Sequence, residues 1–404
     1  MKKKLRAACV CLAILFLFSS CLPRSAAPKC ATPEDFCVGL VTQVGKIDDN
    51  SLNQLAWEGA KKAELKLGAY VQYIETVDSR DYEKNIATFA NASYDVIITV
   101  GYAQRQPSIN AAIRYPQINF IGVDQPLGLD KSLPQNLAGL SFSEDQMGFL
   151  AGALAAQMTK THKVGAVCGP DSFSPAWRYC EGFRAGVTYI NTPPTPPDEA
   201  TDEPNNDSTE TPEGPTDEPT EAALVAKRPL AQRPQEQETP TATPTSEAEA
   251  EPVEAFLAYH NELAFHDSLA DPEWDALTAN ELINNGVDVI FGADSYGDNG
   301  AVSAAAKRRI YAIGVNIDQY FTLPDAQPML LSSAVKEVTA GVFDLLKAAR
   351  YGDFPGGDFP GTAGYAPYHD LGGRVPDAVT AKLVEIQAGL ANGTIQTGVS
   401  STKP

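Results

Sequence analysis

Residues 38–63, VGLVTQVGKIDDNSLNQLAWEGAKKA, combine three features that decide the fold of this chain. The apolar and β-branched run over residues 38–44 predicts a buried strand, because such side chains pack well on a pleated surface. A polar loop rich in carboxylates and amides follows it, and residues 53–67 then have the length and apolar spacing of an amphipathic helix. A strand, a polar loop and a helix in this order are typical of the start of a βαβ unit.

The same alternation continues along most of the chain, which predicts parallel sheets with right-handed crossovers. Eight strands and a long C-terminal region fit two doubly wound parallel-sheet lobes of an α/β protein better than one large sheet. The predicted strands are residues 38–44, 70–74, 96–100, 119–123, 164–168, 256–259, 287–291 and 311–315. The predicted helices are residues 53–67, 82–91, 145–158, 175–189, 275–285 and 335–349.

Two crossings of the chain are expected to join the lobes, at residues 136–142 and 327–333. The N-terminal lobe is then expected at residues 37–142 and 330–362, and the C-terminal lobe at residues 143–329 and 363–404.

Residues 192–252 differ sharply in composition from the rest of the chain. They hold thirteen prolines, fifteen acidic residues, three basic residues and no aromatic residue. Such a segment has too little apolar surface to offset the entropy lost on ordering. We therefore predict a disordered, acidic insert within the C-terminal lobe, where a surface loop can lengthen at small entropic cost.

Residues 1–20 have the features of an export signal peptide. Four basic residues come first, and residues 7–18 form an unbroken apolar run that is shorter than the roughly 20 residues needed to span a bilayer. The small residues before Cys21 resemble a bacterial lipobox, whose cysteine is lipidated after cleavage. Residues 21–36 would then be an anchor and linker, with the protein held by its lipid on the extracytoplasmic face of the cell membrane. Simple secretion without a lipid stays open.

Four of the seven cysteines follow Cys21 in the sequence: Cys30, Cys37, Cys168 and Cys180. An even number in an oxidising compartment permits two disulfides, and short separations favour Cys30 with Cys37 and Cys168 with Cys180, although three pairings are possible. The chain has no Cys-x-x-Cys motif and only four histidines, so no metal is expected. No cofactor is expected either.

The charge of the chain bears on its partners. The formal charge is −20, and removal of the four basic residues of the signal makes it −24, of which the insert contributes −12. Nucleic-acid binding needs a basic surface, so a nucleic-acid partner is disfavoured.

Ligands of open parallel sheets bind beyond the carboxyl ends of the strands, so the residues that follow each predicted strand are the candidates for a site. Carboxylates, amides and aromatic rings dominate these positions, and together they can bind hydroxyl groups and enclose a flat ring. The candidates are Asp48, Asp49, Asn53, Tyr102, Asp124, Trp177, Gly297, Asn316 and Asp318.

Each candidate also has a structural explanation. Asp48 and Asn50 could cap the helix that begins near residue 51. Tyr102 and Trp177 could belong to the core, and residues 294–300 could form an ordinary loop.

Several segments, taken in order, resemble the basic membrane protein family of lipoproteins, whose better-understood members are purine nucleoside receptors of ABC importers. The resemblance runs from about residue 38 to the C-terminus and leaves only the acidic insert unmatched. Besides residues 38–63, it rests on NFIGVDQ from Asn119, GLSFSEDQMGFLAGALAAQMTKTHKVGAVCG from Gly139, EGFRAG from Glu181, NNGVDVIFGA from Asn284, YAIGVNIDQ from Tyr311, SSAVKEV from Ser332 and GYAPYHDL from Gly364.

The resemblance implies a type I periplasmic-binding-protein fold whose two lobes close on a nucleoside, and import then requires permease and ATPase subunits as partners. The ligand-contacting motif of the family corresponds to residues 48–53, with Leu52 in place of the usual aromatic residue. Asp124 corresponds to an acidic residue after the fourth strand. Lys336, which by itself could be a surface charge, corresponds to a lysine that helps to hold the ribose, and the first lobe is expected to supply both residues.

Two other segments depart from the family pattern. The family's Asp-x-Asp motif corresponds to Asn316, Ile317 and Asp318, so an amide replaces one carboxylate, and the loop of residues 293–300 is less rich in glycine than usual.

Two other functions are compared with the sequence. An enzyme is disfavoured because the chain lacks a nucleophile elbow, a phosphate-binding loop and a complete calcium-binding loop. A ligand-sensing surface lipoprotein without a transporter would use the same cleft, so the sequence leaves that function open.

Overall fold

The structure is a computed structural model, and it describes residues 30, 35–128, 132–192, 251–261, 271–293, 299–401 and 403. The predicted signal with Cys21, Gly297, and all but the ends of the predicted insert lie outside these residues.

The described strands form two six-stranded sheets. In chain order they are β1 (Cys37–Val44), β2 (Tyr70–Thr76), β3 (Val96–Val100), β4 (Asn119–Val123), β5 (Leu137–Ser141), β6 (Lys163–Cys168), β7 (Glu254–Tyr259), β8 (Val289–Ala293), β9 (Tyr311–Asn316), β10 (Leu330–Lys336), β11 (Gly357–Pro360) and β12 (Ala363–Tyr365).

The helices cover both faces of these sheets. They are α1 (Leu52–Leu67), α2 (Tyr82–Asn91), α3 (Arg105–Arg114), α4 (Glu144–Met158), α5 (Ser174–Asn191), α6 (Pro272–Asn284), α7 (Gly300–Lys307), α8 (Gln319–Thr322), α9 (Val338–Tyr351) and α10 (Asp377–Asn392). None of the described helices is long and apolar enough to cross a membrane.

Both sheets have the same internal order. The first is β11-β5-β4-β3-β1-β2 and the second is β12-β10-β9-β8-β6-β7. Neighbouring strands are parallel except β10 and β12, which are antiparallel. The predicted α/β class with two doubly wound lobes is therefore confirmed. In each lobe the strand order reverses between two strands, β1 and β3 or β6 and β8, and ligands of such sheets bind at that point.

The central strands explain why the sequence pattern predicted them well. Every residue of β3 and β8 is buried, because helices cover both faces of a parallel sheet and leave no solvated face. Helix α1 ends at Gly68, whose φ of 68° is the left-handed conformation that glycine adopts without strain.

The crossings between the lobes differ from the prediction. Residues 136–142 are mostly strand β5 of the first sheet, and the chain crosses directly after it. Residues 330–336, which were assigned to the first lobe, are strand β10 of the second sheet. Two serines interrupt the apolar pattern there, but Ser332 donates to the carbonyl of Ala366 at 2.6 Å and Ser333 accepts from the amide of Gln319 at 3.1 Å. These bonds satisfy the buried hydroxyls and allow a central strand.

The chain returns to the first lobe only after β10. Helix α9 packs on α1, with the Thr339 hydroxyl donating to the Leu55 carbonyl at 2.9 Å, and β11 then joins the first sheet. A third crossing between β11 and β12 leads back to the second sheet.

Two disulfides are present. Cys30–Cys37 joins the segment before β1 to the first residue of that strand, and Cys168–Cys180 joins the end of β6 to α5. All of these cysteines except Cys30 are fully buried.

Helices α4 and α5 approach each other closely because glycines face each other along both. A Cβ atom on Gly152 would lie 2.0 Å from the carbonyl oxygen of Phe183, and one on Gly186 would lie 1.9 Å from that of Phe149. Gly148 and Gly182 are equally crowded, by Tyr179 and Asp145. This packing brings the first turns of α4 and α5 together at the carboxyl edge of the second sheet.

We expect Gly152→Ala to lower the free energy of unfolding by about 3 kcal/mol, because backbone atoms cannot yield to the new methyl group. The intrinsic helix preference for alanine offsets at most about 1 kcal/mol of this loss. Gly373→Ala is the matched control, since nothing lies within 4 Å of its Cβ position. Urea denaturation of both variants tests this, and equal stability of Gly152→Ala and wild type would contradict the packing.

Candidate functional site

A buried ion pair joins the carboxyl ends of the two sheets. The Nζ atom of Lys336, the last residue of β10, lies 2.6 Å from Oδ1 of Asp124, which follows β4. The two side chains are only 1% and 3% exposed. The pair thus comes from opposite lobes, and the expectation that the first lobe supplies both residues is wrong, because β10 belongs to the second sheet.

A second carboxylate binds the same ammonium group. Oε1 of Glu144, the first residue of α4, lies 2.9 Å from Nζ of Lys336. The rings of Phe142 and Tyr179 each lie 5.4 Å from this atom, within the range in which an aromatic face attracts a cation.

Arg178 extends the network behind Glu144. One guanidinium nitrogen donates to Oε2 of Glu144 at 2.7 Å and to the carbonyl of Phe142 at 3.2 Å, and another donates to Oδ1 of Asp145 at 2.5 Å. The close approach of α4 and α5 makes this possible, because Arg178 lies in the first turns of α5 and both carboxylates in the first turn of α4.

The network holds two cationic groups and three carboxyl groups. Burial alone would lower the pKa of Lys336, but Asp124 and Glu144 together outweigh burial and raise it. Burial raises the pKa of Glu144, against the opposing effect of Lys336. Lys336 is therefore held charged, while Glu144 has an increased tendency to bind a proton. In the described part of the chain, no group of three or more His, Cys, Asp or Glu side chains could hold a metal ion.

Two pairs of aromatic residues include the candidates Tyr102 and Trp177. Tyr102, directly after β3, meets Phe173, just before α5, with ring centroids 5.4 Å apart. Trp177 stacks on Tyr259 at 6.0 Å, and its indole Nε1 is buried with no hydrogen-bond partner among the described residues. An aromatic ligand could accept a hydrogen bond from such a donor.

The loop after β1 is held by its own side chains. The Asp49 carboxylate accepts from the amides of Ser51, Asn53 and Gln54, and the Asn53 side chain accepts from the amide of Gln43 and donates to the carbonyl of Lys46. Burial raises the pKa of Asp49, although these amides act against it. Asp49 thus supports the start of α1, whereas the sequence had suggested Asp48 and Asn50 for the capping of this helix.

Asp48, by contrast, is exposed at the tip of that loop.

Asn316 and Asp124 occupy corresponding positions in the two lobes. Each lies at the end of the fourth strand in its lobe, each is buried, and each has a positive φ, 65° and 61° respectively. Asparagine and aspartate tolerate this left-handed conformation better than other residues with a Cβ atom.

Asp318 is bound by neighbours within its own lobe. Its carboxylate accepts from the amide of Tyr320 at 3.2 Å and lies 2.8 Å from Nε2 of His369. The ring of Tyr320 stacks on that of His369 with centroids 4.0 Å apart.

Sequence reasoning did not select Glu144, Arg178 or Tyr179. Glu144 follows the end of β5 and so fits the same rule as the other candidates, but β5 was taken for a crossing. No sequence signal connects Arg178 with Glu144, because their proximity depends on the packing of α4 against α5.

A comparison with protein-family models identifies the chain. The model for ABC transporter substrate-binding proteins of the PnrA-like type matches residues 36–193 and 262–359, more than half of the chain. The chain belongs to this family. The resemblance seen in the sequence is thereby confirmed, and the family consists of substrate-binding proteins of ABC transporters.

Relatives of this substrate-binding protein carry several names. The chain is 27% identical over 343 residues to the CD4+ T-cell-stimulating antigen of Listeria monocytogenes. This alignment covers 80% of this chain and 76% of the relative. The chain is 29% identical over 162 residues to the ABC transporter nucleoside-binding protein BmpA of Lactococcus lactis, covering 39% and 45%. Basic membrane protein A of Borreliella burgdorferi is 30% identical over 148 residues, covering 36% and 42%.

Solved structures support the same fold. The solute-binding protein of an Aeropyrum pernix ABC transporter superposes with a TM-score of 0.64 at 20% identity, covering 89% of this chain and 92% of that one. A solute-binding protein from Conexibacter woesei superposes with a TM-score of 0.60 at 19% identity, covering 89% of this chain and 98% of that one. By its family, the chain is a substrate-binding protein of an ABC transporter, which implies a small-molecule ligand.

We expect Lys336→Met to lower the free energy of unfolding by about 3–5 kcal/mol, because it leaves Asp124 buried without its cation and Glu144 with Arg178 alone. Replacing Asp124 and Glu144 with Asn and Gln in the same variant should recover much of that loss. Lys84→Met is the control, since Lys84 forms an exposed pair with Asp81 and should cost less than about 1 kcal/mol. Urea denaturation gives the free energy of unfolding of Lys336→Met, of the triple variant and of Lys84→Met. A similar decrease for Lys336→Met and Lys84→Met would contradict the burial of the network.

Proposed function

We propose that this protein is the extracytoplasmic binding lipoprotein of an ABC importer and that it captures a purine nucleoside by closure of its two lobes. The observation that carries the proposal is the contact of Lys336 with Asp124 and Glu144 at the carboxyl ends of both sheets. A ligand bound there touches both lobes at once.

The chemistry of the network suits a sugar with neighbouring hydroxyl groups. A hydroxyl can accept a hydrogen bond from the Lys336 ammonium and donate one to the carboxylate of Asp124 or Glu144. Hydrogen bonds to charged groups are the stronger ones, so a diol that makes several of them is held firmly. The three carboxyl groups outnumber the two cations, which favours a ligand that donates hydrogen bonds over an anion.

The aromatic residues provide surfaces for a flat base. Tyr102 and Phe173 come from opposite lobes and contact each other, and Trp177 adds a buried indole donor. The base of a nucleoside offers two π faces and several acceptor atoms to such groups. The relative from Lactococcus lactis is called a nucleoside-binding protein, which agrees with this assignment.

Attachment to the membrane is proposed from the sequence of residues 1–21. Lipidation at Cys21 would place the protein beside the permease and ATPase that import requires, and two related proteins from Pyrococcus are called lipoproteins.

A thermodynamic cycle with guanosine and its 2′-deoxy and 3′-deoxy analogues tests the assignment of the sugar. We expect wild-type protein to lose affinity by about tenfold or more when the hydroxyl bound by Asp124 is absent. Asp124→Asn should bind guanosine more weakly than wild type by a similar factor. In this variant, removing the same hydroxyl from the ligand should weaken binding little further.

Asp81→Asn is the matched control, because Asp81 forms an exposed pair with Lys84 outside the ionic network. Calorimetry gives the affinities. Additive losses for both analogues would mean that Asp124 does not touch the sugar, and failure of wild-type protein to bind guanosine, adenosine or inosine would overturn the proposed ligand.

A further inference from the structure

The last residues of the chain lie across the carboxyl edge of the second lobe. We call residues 394–401 and 403 the C-terminal strap. Ile395 fixes its beginning, since its amide donates to the carbonyl of Gly389 at 3.0 Å and its side chain packs on the main core. The strap then contacts the second lobe through Thr397, Ser401 and Lys403.

These contacts fall on the segments that surround the candidate site. The Thr397 hydroxyl donates to Oδ2 of Asp145 at 2.7 Å, in the first turn of α4. The Ser174 hydroxyl, at the start of α5, donates to the carbonyl of Ser401. Nζ of Lys403 lies 2.5 Å from Oδ2 of Asp171, in the loop between β6 and α5.

Thr397 connects the strap directly to the buried ionic network. Oδ2 of Asp145 accepts from Thr397, while Oδ1 of the same carboxylate accepts from Arg178 at 2.5 Å. Arg178 in turn binds Glu144, and Glu144 binds Lys336. An unbroken series of polar contacts, none longer than 2.9 Å, thus leads from the strap to the ammonium that faces the first lobe.

The position of Glu144 depends on every residue in this series of contacts. The guanidinium group is planar and its donors are fixed relative to one another, so its orientation is set by both carboxylates together. Asp145 is 17% exposed and could rotate if only one of its oxygens were bound. Thr397 binds the other oxygen, which fixes the carboxylate and, through Arg178, the position of Glu144.

We propose that the C-terminal strap is a positioning element for the ligand site, with Thr397 acting through Asp145 and Arg178 on Glu144 and Lys336. This inference rests on the proposed function for its ligand, although the positioning can also be measured without one. The contacts of the strap on the lobe surface are few and partly exposed, so its loss should disturb the site more than the stability of the fold.

Thr397→Val tests the proposal, because it removes the hydroxyl and keeps the shape of the side chain. Thr394→Val is the matched control in the same strap, since among the described residues the Thr394 hydroxyl bonds to Asn392 and Gly389 and not to the ionic network. Thr397→Ser restores the hydroxyl. We expect Thr397→Val to weaken guanosine binding by about fivefold in calorimetry, with Thr394→Val and Thr397→Ser close to wild type.

Backbone amide exchange without ligand provides the second measurement. In Thr397→Val, exchange should accelerate at residues 144–147 and 176–180 and stay unchanged in the first sheet. Unchanged exchange at these residues would overturn the proposal, and so would equal acceleration throughout both lobes, which indicates general destabilisation. If wild-type protein does not bind guanosine, the proposed ligand fails, and the exchange pattern still decides whether the strap positions the network.

Discussion

The buried contact of Lys336 with Asp124 and Glu144 is the interaction on which the rest of the structure depends. An ammonium group removed from water is costly unless carboxylates surround it, and those carboxylates are costly without it. The lysine ends a strand of the second sheet and Asp124 follows a strand of the first, so each lobe completes the site of the other. This arrangement explains why the ligand of such a protein is expected where the lobes meet.

The fold prepares this contact by similar means in both lobes. The sheets share one strand order, and Asp124 and Asn316 end corresponding strands in the left-handed conformation. In the second lobe, glycines let α4 and α5 approach closely enough for Arg178 to bind carboxylates in the first turn of α4. The ionic network therefore depends on glycines whose role is to let the two helices pack closely.

Much of the fold could be predicted because buried parallel strands are nearly continuous apolar runs. Residues 96–100 and 119–123 were predicted with their observed bounds. Strand β10 was missed because Ser332 and Ser333 interrupt its apolar pattern, and only their tertiary hydrogen bonds reveal that a polar residue fits there. That error placed Lys336 in the wrong lobe. Glu144 was missed because β5 was taken for a crossing, and Arg178 was missed because its contact with Glu144 is made by helix packing.

The most direct test of the account is the magnetic resonance signal of the Lys336 ammonium in protein labelled with nitrogen-15 at lysine. A buried ammonium bound by two carboxylates should exchange its protons slowly, and its signal should disappear in Lys336→Met. We predict that saturating guanosine shifts this signal while the exposed lysines keep theirs. Guanosine binding that leaves the Lys336 signal in place would contradict the claim that the ligand is held where the two sheets meet.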